Sequence, residues 1–505
     1  MWSWIAHLAL FGLLVAAAPV APFDPLDPRS FVLLGLVGAW RYGWGAVHLV
    51  RSLVYRHLVF PRWRRLAESR WRAFDGLPPE EKERLLPHVF LVITSYRYPT
   101  EATAACYRAA IGEAVRYGGR VTVVASLVEP ADRRLVKEVF RALAPPERVK
   151  LVLVELPPFG KREALAAGLV AVSRRMPRPH DVVAVMDGDT VLTPRCLRRS
   201  VPFLSLFPDV GGVTTDEAPL PRGGPPVHAW LALRFARRHL YMSSVALSRR
   251  LLVMTGRFSL FPAAVATDPA FVARVREDHI DHWRLGRIRL LTGDDKSTWL
   301  SLLERGRSMV YVPDVRVLTT ESLPHRRFPV GATQLMWRWF GNMLRAGRAA
   351  LALGPARTGL FLWWCLVDQR VSAWTPLVGP VAIAMLAVLV HPLLLYAYLL
   401  WVLLTRTLLV LGLAAATGRR LSGLSPLILW FDQVYGALVK TTVLFRLDRQ
   451  MWTRQRIRAD AAGGPWRAAS AWFAQAVAYG ALVLAVGLAT GFFELPPAVA
   501  VGGGS

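Results

Sequence analysis

The sequence predicts an α/β nucleotide-binding domain carried within a helical membrane domain, on three observations. Short β-branched runs alternate with helical segments from about His88 onward, and one such run ends in two carboxylates around a single glycine, VVAVMDGDT, Val182 to Thr190. Long apolar runs lie on both sides of this region. Alternating strands and helices imply a parallel sheet with right-handed crossovers, and open α/β sheets bind ligands at the carboxyl ends of their strands. With 505 residues, 53% of them hydrophobic, the chain is too long for one soluble domain and too apolar to be only soluble. A formal charge of +27, from 62 basic and 35 acidic residues, exceeds what membrane flanks need. In so apolar a chain, the anionic partner this implies is a nucleotide-sugar or an anionic polymer rather than nucleic acid. Cys106, Cys196 and Cys365 are odd in number and far apart, which argues against a disulfide framework or a zinc site and places the catalytic part in the cytosol.

In chain order, Trp4 to about Pro22 is an apolar run, followed by the proline-rich PFDPLDPRS and a second run, Phe31 to Val50. A cleaved signal peptide is the alternative for the first run, but it lacks a basic start, and a membrane hairpin over 1–51 is expected. Arg51, Arg56, Arg62, Arg64 and Arg65 follow, so this flank is cytoplasmic. Strands are then expected at HVFLVIT, RVTVVAS, VKLVLV and VVAVM, with helices over Pro99 to Tyr117, closed by Gly118 and Gly119, and over Lys161 to Arg175. No GxxxxGK[ST] follows a strand, which speaks against a P-loop ATPase.

The candidate site residues gather at these strand ends. Asp187 and Asp189 can hold Mg²⁺ or Mn²⁺, which would neutralise a diphosphate leaving group, whereas the plain alternative is an Asp-Gly turn. Thr94, Ser95 and Arg97 end the first strand, Glu129 follows the second, and Lys161 and Arg162 follow the third after a glycine. Singly each reads as a loop or helix-start residue. Together they offer an acid for base or ribose hydroxyls and cations for phosphates. In TGDDKS, Asp294 and Asp295 read either as helix caps or as the carboxylates that take a proton from an acceptor hydroxyl. EDHIDHW, with His279 and His282, lacks the HExxH spacing of a zinc helix and reads as structural. Gln334 to Arg348 is aromatic and basic, an interfacial pattern in which Arg338 and Trp339 can also cover a nucleotide or sugar.

The ordered set Glu129, Lys161, DGD, Thr255-Gly256-Arg257, GDD and Arg338-Trp339 resembles the processive family 2 glycosyltransferases, the group of cellulose, chitin and hyaluronan synthases. GKREALAAG, VVAVMDGDTVL, TGDDKS, RWFGNMLR, DQRVSAWT and FRLDRQMWTRQ are most similar to the bacterial mannuronan synthases of alginate polymerisation, over Arg41 to about Gln455. The resemblance implies a GT-A fold and inverting transfer from a GDP-linked donor. It implies that Asp187 and Asp189 bind metal and diphosphate, and that Asp295, beside Asp294, is the general base. Thr255, Gly256 and Arg257 would line the acceptor site, and Thr94, Ser95, Arg97, Glu129, Lys161, Asp187, Arg338 and Trp339 the donor site. Arg338 and Trp339 match the end of a QxxRW motif, but Leu335 stands at its Gln position and Gln334 is one residue early. The chain shows no appended RxxxR-type cyclic-dinucleotide domain. The resemblance therefore implies a separate membrane partner responding to cyclic di-GMP, and periplasmic export proteins.

Val371 to Arg419 reads as two spans turning near His391 and Pro392. Leu424 to Leu447 is interrupted by Asp432, Gln433 and Lys440 and reads as an interfacial or channel-facing helix, before a last span from about Ala469 to Leu488. The expected map is thus a hairpin over 1–51, a cytosolic GT-A domain over 52–328, interfacial helices with the RW pair over 329–372, and a transmembrane hairpin over 373–420. An interfacial or channel-facing helix over 421–465 and a C-terminal span over 466–495 complete five spans in a bacterial inner membrane; counting Leu424 to Leu447 makes six. The expected activity is polymerisation of mannuronate from GDP-mannuronate into polymannuronate, with translocation through the helices. Rival readings are another processive synthase (hyaluronan, cellulose or chitin type), a non-processive lipid-linked glycosyltransferase, and a transporter with a regulatory cytosolic domain. Arg345, Arg348 and Arg370, leading into the C-terminal spans, are expected to face the anionic product, the alternative being that they anchor interfacial helices to anionic membrane lipid.

Overall fold

The computed structural model describes residues 2–18, 31–452, 457–459 and 465–493. PFDPLDPRS and the last residues of FRLDRQMWTRQ lie outside the described residues. Four β-branched runs form β1 (Val89–Ser95), β2 (Val121–Leu127), β3 (Val149–Glu155) and β4 (Val182–Asp187), parallel and ordered β3-β2-β1-β4. Every residue of β1 and β2 is buried, as expected for strands covered on both faces. The crossovers are the helices Thr100–Tyr117, Pro130–Leu143 and Lys161–Ser173.

Beyond β4 the sheet departs from the all-parallel expectation. β5 (Thr190–Val191), β6 (Val210–Arg222), β7 (Ser259–Pro262) and β10 (Ser308–Ser322) extend it to eight strands, β3-β2-β1-β4-β7-β6-β10-β5. β7 runs antiparallel to both β4 and β6, and β5 antiparallel to β10. The physical reason is local: β7 enters straight from the Thr255–Arg257 loop, and a four-residue strand too short to show a period gave no readable signal. β8 (His279–His282) and β9 (Gly286–Arg289) form a separate hairpin, and β11 (Gln450–Trp452) pairs with β12 (Ile457–Ala459). The chain is thus an open mixed sheet of GT-A type followed by a helical C-terminal region.

Register delivers the site. Val89 aligns with both Val121 and Val182, so Thr94 lies beside Asp187 and Ser126 at one edge. Gly188 fits here because it has no side chain: its N–H donates to the Thr94 carbonyl at 2.9 Å, and a Cβ would come within 2.3 Å of Ser95 Oγ. The Asp-Gly-Asp turn is thereby pressed onto the end of β1.

Among the described residues, four helical stretches have the length and apolarity to cross a membrane: Leu360–Leu389, Leu393–Thr417, Ser425–Phe445 and Pro465–Thr490. Trp2–Ala16 is apolar but has only 15 residues. Val32–Val54 is longer, at 23 residues, but carries Arg41, His48 and Arg51. In Ser425–Phe445 the polar residues that weighed against a span all have protein partners: Asp432 with Trp230 and Arg237, Gln433 with Arg406, and Lys440 with Ser372. Their cost in an apolar layer is offset by those bonds, so they do not bar this helix from the membrane.

A buried ionic knot ties the sheet to these helices. Asp216 on β6 accepts from Tyr311 (2.9 Å), Arg316 (2.9 Å) and Arg419 (2.6 Å to each oxygen), with His239 Nδ1 at 3.0 Å. Arg419 follows the helix Leu393–Thr417 after its capping glycine, Gly418. All three cysteines are free and buried.

Candidate active site

Four sequence motifs meet on one ammonium group. Lys161, the first residue of the helix Lys161–Ser173, places Nζ 2.7 Å from Asp187 Oδ1 and 2.9 Å from Asp294 Oδ2. Asp187 ends β4, and Asp294 opens the helix Asp294–Glu304. Gly256 closes the third side: a Cβ there would lie 3.1 Å from Lys161 Nζ and 3.4 Å from Asp187 Oδ2. Glycine is therefore the residue that lets this backbone approach the pair.

Next to Lys161, Arg162 is a buried strut. It donates to the carbonyls of Val275 and Thr292, both at 3.1 Å, and to Ser297 Oγ at 3.0 Å, which in turn donates to Asp278 at 2.5 Å. It fixes the Gly-Asp-Asp loop rather than offering its charge to a phosphate. Gly293 takes φ +89°, and Thr292 donates to Asn342 Oδ1 at 2.8 Å, so the loop is also fastened to the helix Phe328–Ala352.

The two adjacent acids are pushed apart electrostatically. Burial alone would raise Asp294, but the charge and hydrogen bond of Lys161 outweigh it and hold this carboxyl below its usual range. Asp295 is raised, first by burial and then by the Asp294 carboxylate. Burial also works against the charge on Lys161, yet Asp187 and Asp294 overcome it and raise the ammonium. Two neighbouring carboxyls with opposed shifts divide naturally into a fixed anion and a proton acceptor. Asp189 is buried beside them, its carbonyl accepting from Thr320 N at 3.2 Å.

The other expected residues are placed as follows. Thr94 and Ser95 are buried at the end of β1, Ser95 Oγ lying 3.3 Å from Tyr107 Oη. Arg97 donates to Glu129 at 3.0 Å on the exposed side of the same edge. Asp132, one turn on from Glu129, is buried, and its carboxyl is raised by that burial and by Glu129; sequence reasoning missed it. Thr255 points inward, its hydroxyl 3.1 Å from that of Thr214, so it shapes the loop that presents Gly256. Arg257 donates to Glu217 at 3.0 Å and pairs with Glu321. Trp339 lies between Trp230, at 5.4 Å between ring centroids, and the Arg234 guanidinium at 3.3 Å. His282 Nδ1 accepts from the N–H groups of Arg284 and Leu285, the structural role expected of it. Arg345 is a buried strut, donating to the Leu447 carbonyl and to Asn342, both at 2.9 Å. Among the described residues no three His, Cys, Asp or Glu side chains are grouped to hold a metal.

Sequence reasoning also missed a stripe on the helix Pro225–Ala246. Trp230, Arg234 and Arg238, four residues apart, share one face, and Arg237 lies beside them. The signal is present in the sequence as their i, i+4 spacing.

The profile of the family described as Glycosyltransferase like family 2 matches residues 87–342. Two relatives carry the name Glycosyltransferase alg8. The protein from Pseudomonas syringae pv. tomato is 45% identical over 453 residues, covering 90% of each chain. That from Azotobacter vinelandii is 42% identical over 455 residues, again covering 90% of each. Among solved structures, a mannosyltransferase from Pyrobaculum calidifontis in complex with GDP-Man and Mn²⁺ aligns with a TM-score of 0.44 and 17% identity, over 79% of this chain and 98% of that one.

Proposed function

Because the chain belongs to the family 2 glycosyltransferases, we propose that it polymerises mannuronate from GDP-mannuronate into polymannuronate and passes the product across a bacterial inner membrane. The observation that carries this reading is the convergence of Asp187 and Asp294 on Lys161, which joins the donor-side turn to the acceptor-side loop at one point. The 45% and 42% identity to the alg8 proteins over nine-tenths of the chain supports the alginate assignment over a hyaluronan- or cellulose-type product.

Asp295 is the general base: its raised carboxyl takes the proton from the acceptor hydroxyl as that oxygen attacks the anomeric carbon, inverting it. Asp294, held ionised by Lys161, keeps the pair from sharing that proton. Lys161 supplies positive charge where the diphosphate departs. Arg97 and Glu129, Thr94 and Ser95 border the nucleotide, and Gly256 and Arg257 the acceptor. Asp187 and Asp189 offer hard carboxylate oxygens, a donor set that fits Mg²⁺ or Mn²⁺ with the remaining positions left to diphosphate and water. Such a cation, when bound, neutralises charge on the leaving group.

The stripe Trp230, Arg234, Arg237 leads from this cluster to Asp432 and Lys440 on Ser425–Phe445, a polar and aromatic course toward the membrane helices. The response to cyclic di-GMP and the export steps beyond the membrane fall to separate partners. Purified protein should be given radiolabelled GDP-mannuronate, GDP-mannose, UDP-glucuronate and UDP-glucose, with the product sized. Incorporation from GDP-mannuronate into a long polymer is expected; preference for a UDP-sugar, or transfer of a single sugar, would refute the assignment.

A further inference from the structure

Around Trp339 the ionic partners do not balance. Glu217 accepts from Arg238 at 2.7 Å and from Arg257 at 3.0 Å, and Glu321 pairs with Arg257. Asp432 is taken by Arg237 at 2.5 Å and by Trp230 Nε1 at 3.1 Å. Each carboxylate near Arg234 therefore already has its own cation. Arg234 itself stacks on the Trp339 ring at 3.3 Å and donates to no protein acceptor among the described residues. Burial, opposed by Asp432 and reinforced by Arg238 and Arg257, lowers this guanidinium to about 9, so it is still charged at neutral pH. A half-buried guanidinium with its flat face on an indole and its N–H edge unsatisfied is built to receive an oxyanion. Position narrows the choice. Arg238, one turn toward the acids, acts electrostatically on Asp295 and Lys296, and Trp230, one turn the other way, reaches Asp432 on Ser425–Phe445. Arg234 thus stands one step removed from the proton acceptor, on the side toward the membrane helices.

We propose that Arg234, stacked on Trp339, is a subsite for the carboxylate of an acidic sugar in the acceptor chain, and so selects uronate over neutral acceptors. The proposal rests on the polymannuronate reading for the identity of that sugar. The anion could also come from the donor diphosphate, so the test separates the two sources.

Full-length protein in detergent is titrated with three probes: a mannuronate hexamer, its carboxyl-reduced neutral counterpart, and GDP. Wild type should bind the acidic hexamer at least about tenfold more tightly than the neutral one, as a charge-assisted bond allows. Arg234→Gln should remove most of that preference while leaving affinity for the neutral hexamer and for GDP unchanged. Arg234→Lys keeps the charge but loses the fork, and should retain part of the preference; it also serves if the Gln variant does not fold. An absent preference in wild type, a preference intact in both variants, or a loss confined to GDP would each overturn the proposal, the last assigning Arg234 to the diphosphate. Because binding is read without turnover, failure of wild type to use GDP-mannuronate would count against the polymerase reading and leave this result standing.

Discussion

At the scale of single residues, one lysine and three aspartates share charge at the centre of the site. Replacing Lys161 with Met leaves Asp187 and the buried Asp294 without their cation, and breaking such a pair costs about 3–5 kcal/mol. Asp294 is held low in the folded protein, so its contribution to stability is present at neutral pH and is lost as pH falls through its folded value. The deficit of Lys161→Met against wild type, read from denaturant midpoints, should therefore be largest near pH 7 and shrink on acidification; a pH-independent deficit would point to lost packing instead. Asp295 behaves oppositely. Its carboxyl is raised, and only the ionised form accepts a proton, so turnover should fall on the acid side with a midpoint above that of an ordinary aspartate. A profile of kcat against pH at saturating donor checks this. The acids and Lys161 were legible in the sequence because their motifs are short and contiguous. Arg162 was legible only as a cation, since nothing in GKREALAAG distinguishes a phosphate ligand from a buried strut, and the difference lies in Val275, Thr292 and Ser297, more than a hundred residues away.

At the scale of elements, the alternation of runs from His88 to Met186 was sufficient to place β1 to β4 and their helices, since strands buried on both faces write continuous apolar text. The half of the sheet beyond β4 was not legible. β5 and β7 have two and four residues, and their pairing is decided by which strand has a free edge, not by their own pattern. The turn between β4 and β5 is the element most exposed to a small change. Gly188→Ala would drive a methyl against Ser95 Oγ and the Thr94 carbonyl, which is backbone and cannot yield. Overpacking of this kind costs about 1–3 kcal/mol. The expected result is a lowered melting temperature together with weaker donor binding, because the turn carries both Asp187 and Asp189; unchanged donor affinity would show that the turn is not the donor site. Removal of divalent cations with EDTA should abolish transfer and be reversed by Mg²⁺ or Mn²⁺, with persistence of activity counting against the role given to this turn.

For the whole molecule, sheet and membrane helices are joined through charge. Asp216 anchors Arg419, Arg316, Tyr311 and His239 at one buried point, and Asp216→Ala would strand them. Loss of one member of a buried network predicts about 3–5 kcal/mol of destabilisation, visible as earlier thermal aggregation in detergent. Asn, which keeps acceptor capacity at one atom, should lose less. Arg345, expected from sequence to face the product, is instead fastened to Leu447 and Asn342, so its substitution should lower stability before it shortens polymer; Arg370 also donates to the Leu344 carbonyl, at 3.3 Å, which leaves Arg348 as the sharper probe of transport. The helix Ser425–Phe445 could not be sorted from sequence, because Asp432, Gln433 and Lys440 reveal their partners only once Trp230, Arg237, Arg406 and Ser372 are brought alongside. The central claim, that the Lys161 cluster is a glycosyl-transfer centre with Asp295 as its base, is tested most directly by comparing wild type and Asp295→Asn for polymer formed from radiolabelled GDP-mannuronate, alongside GDP-mannuronate binding. Polymer should disappear while donor affinity is retained. Near-normal polymer from Asp295→Asn, with donor binding intact, would contradict it.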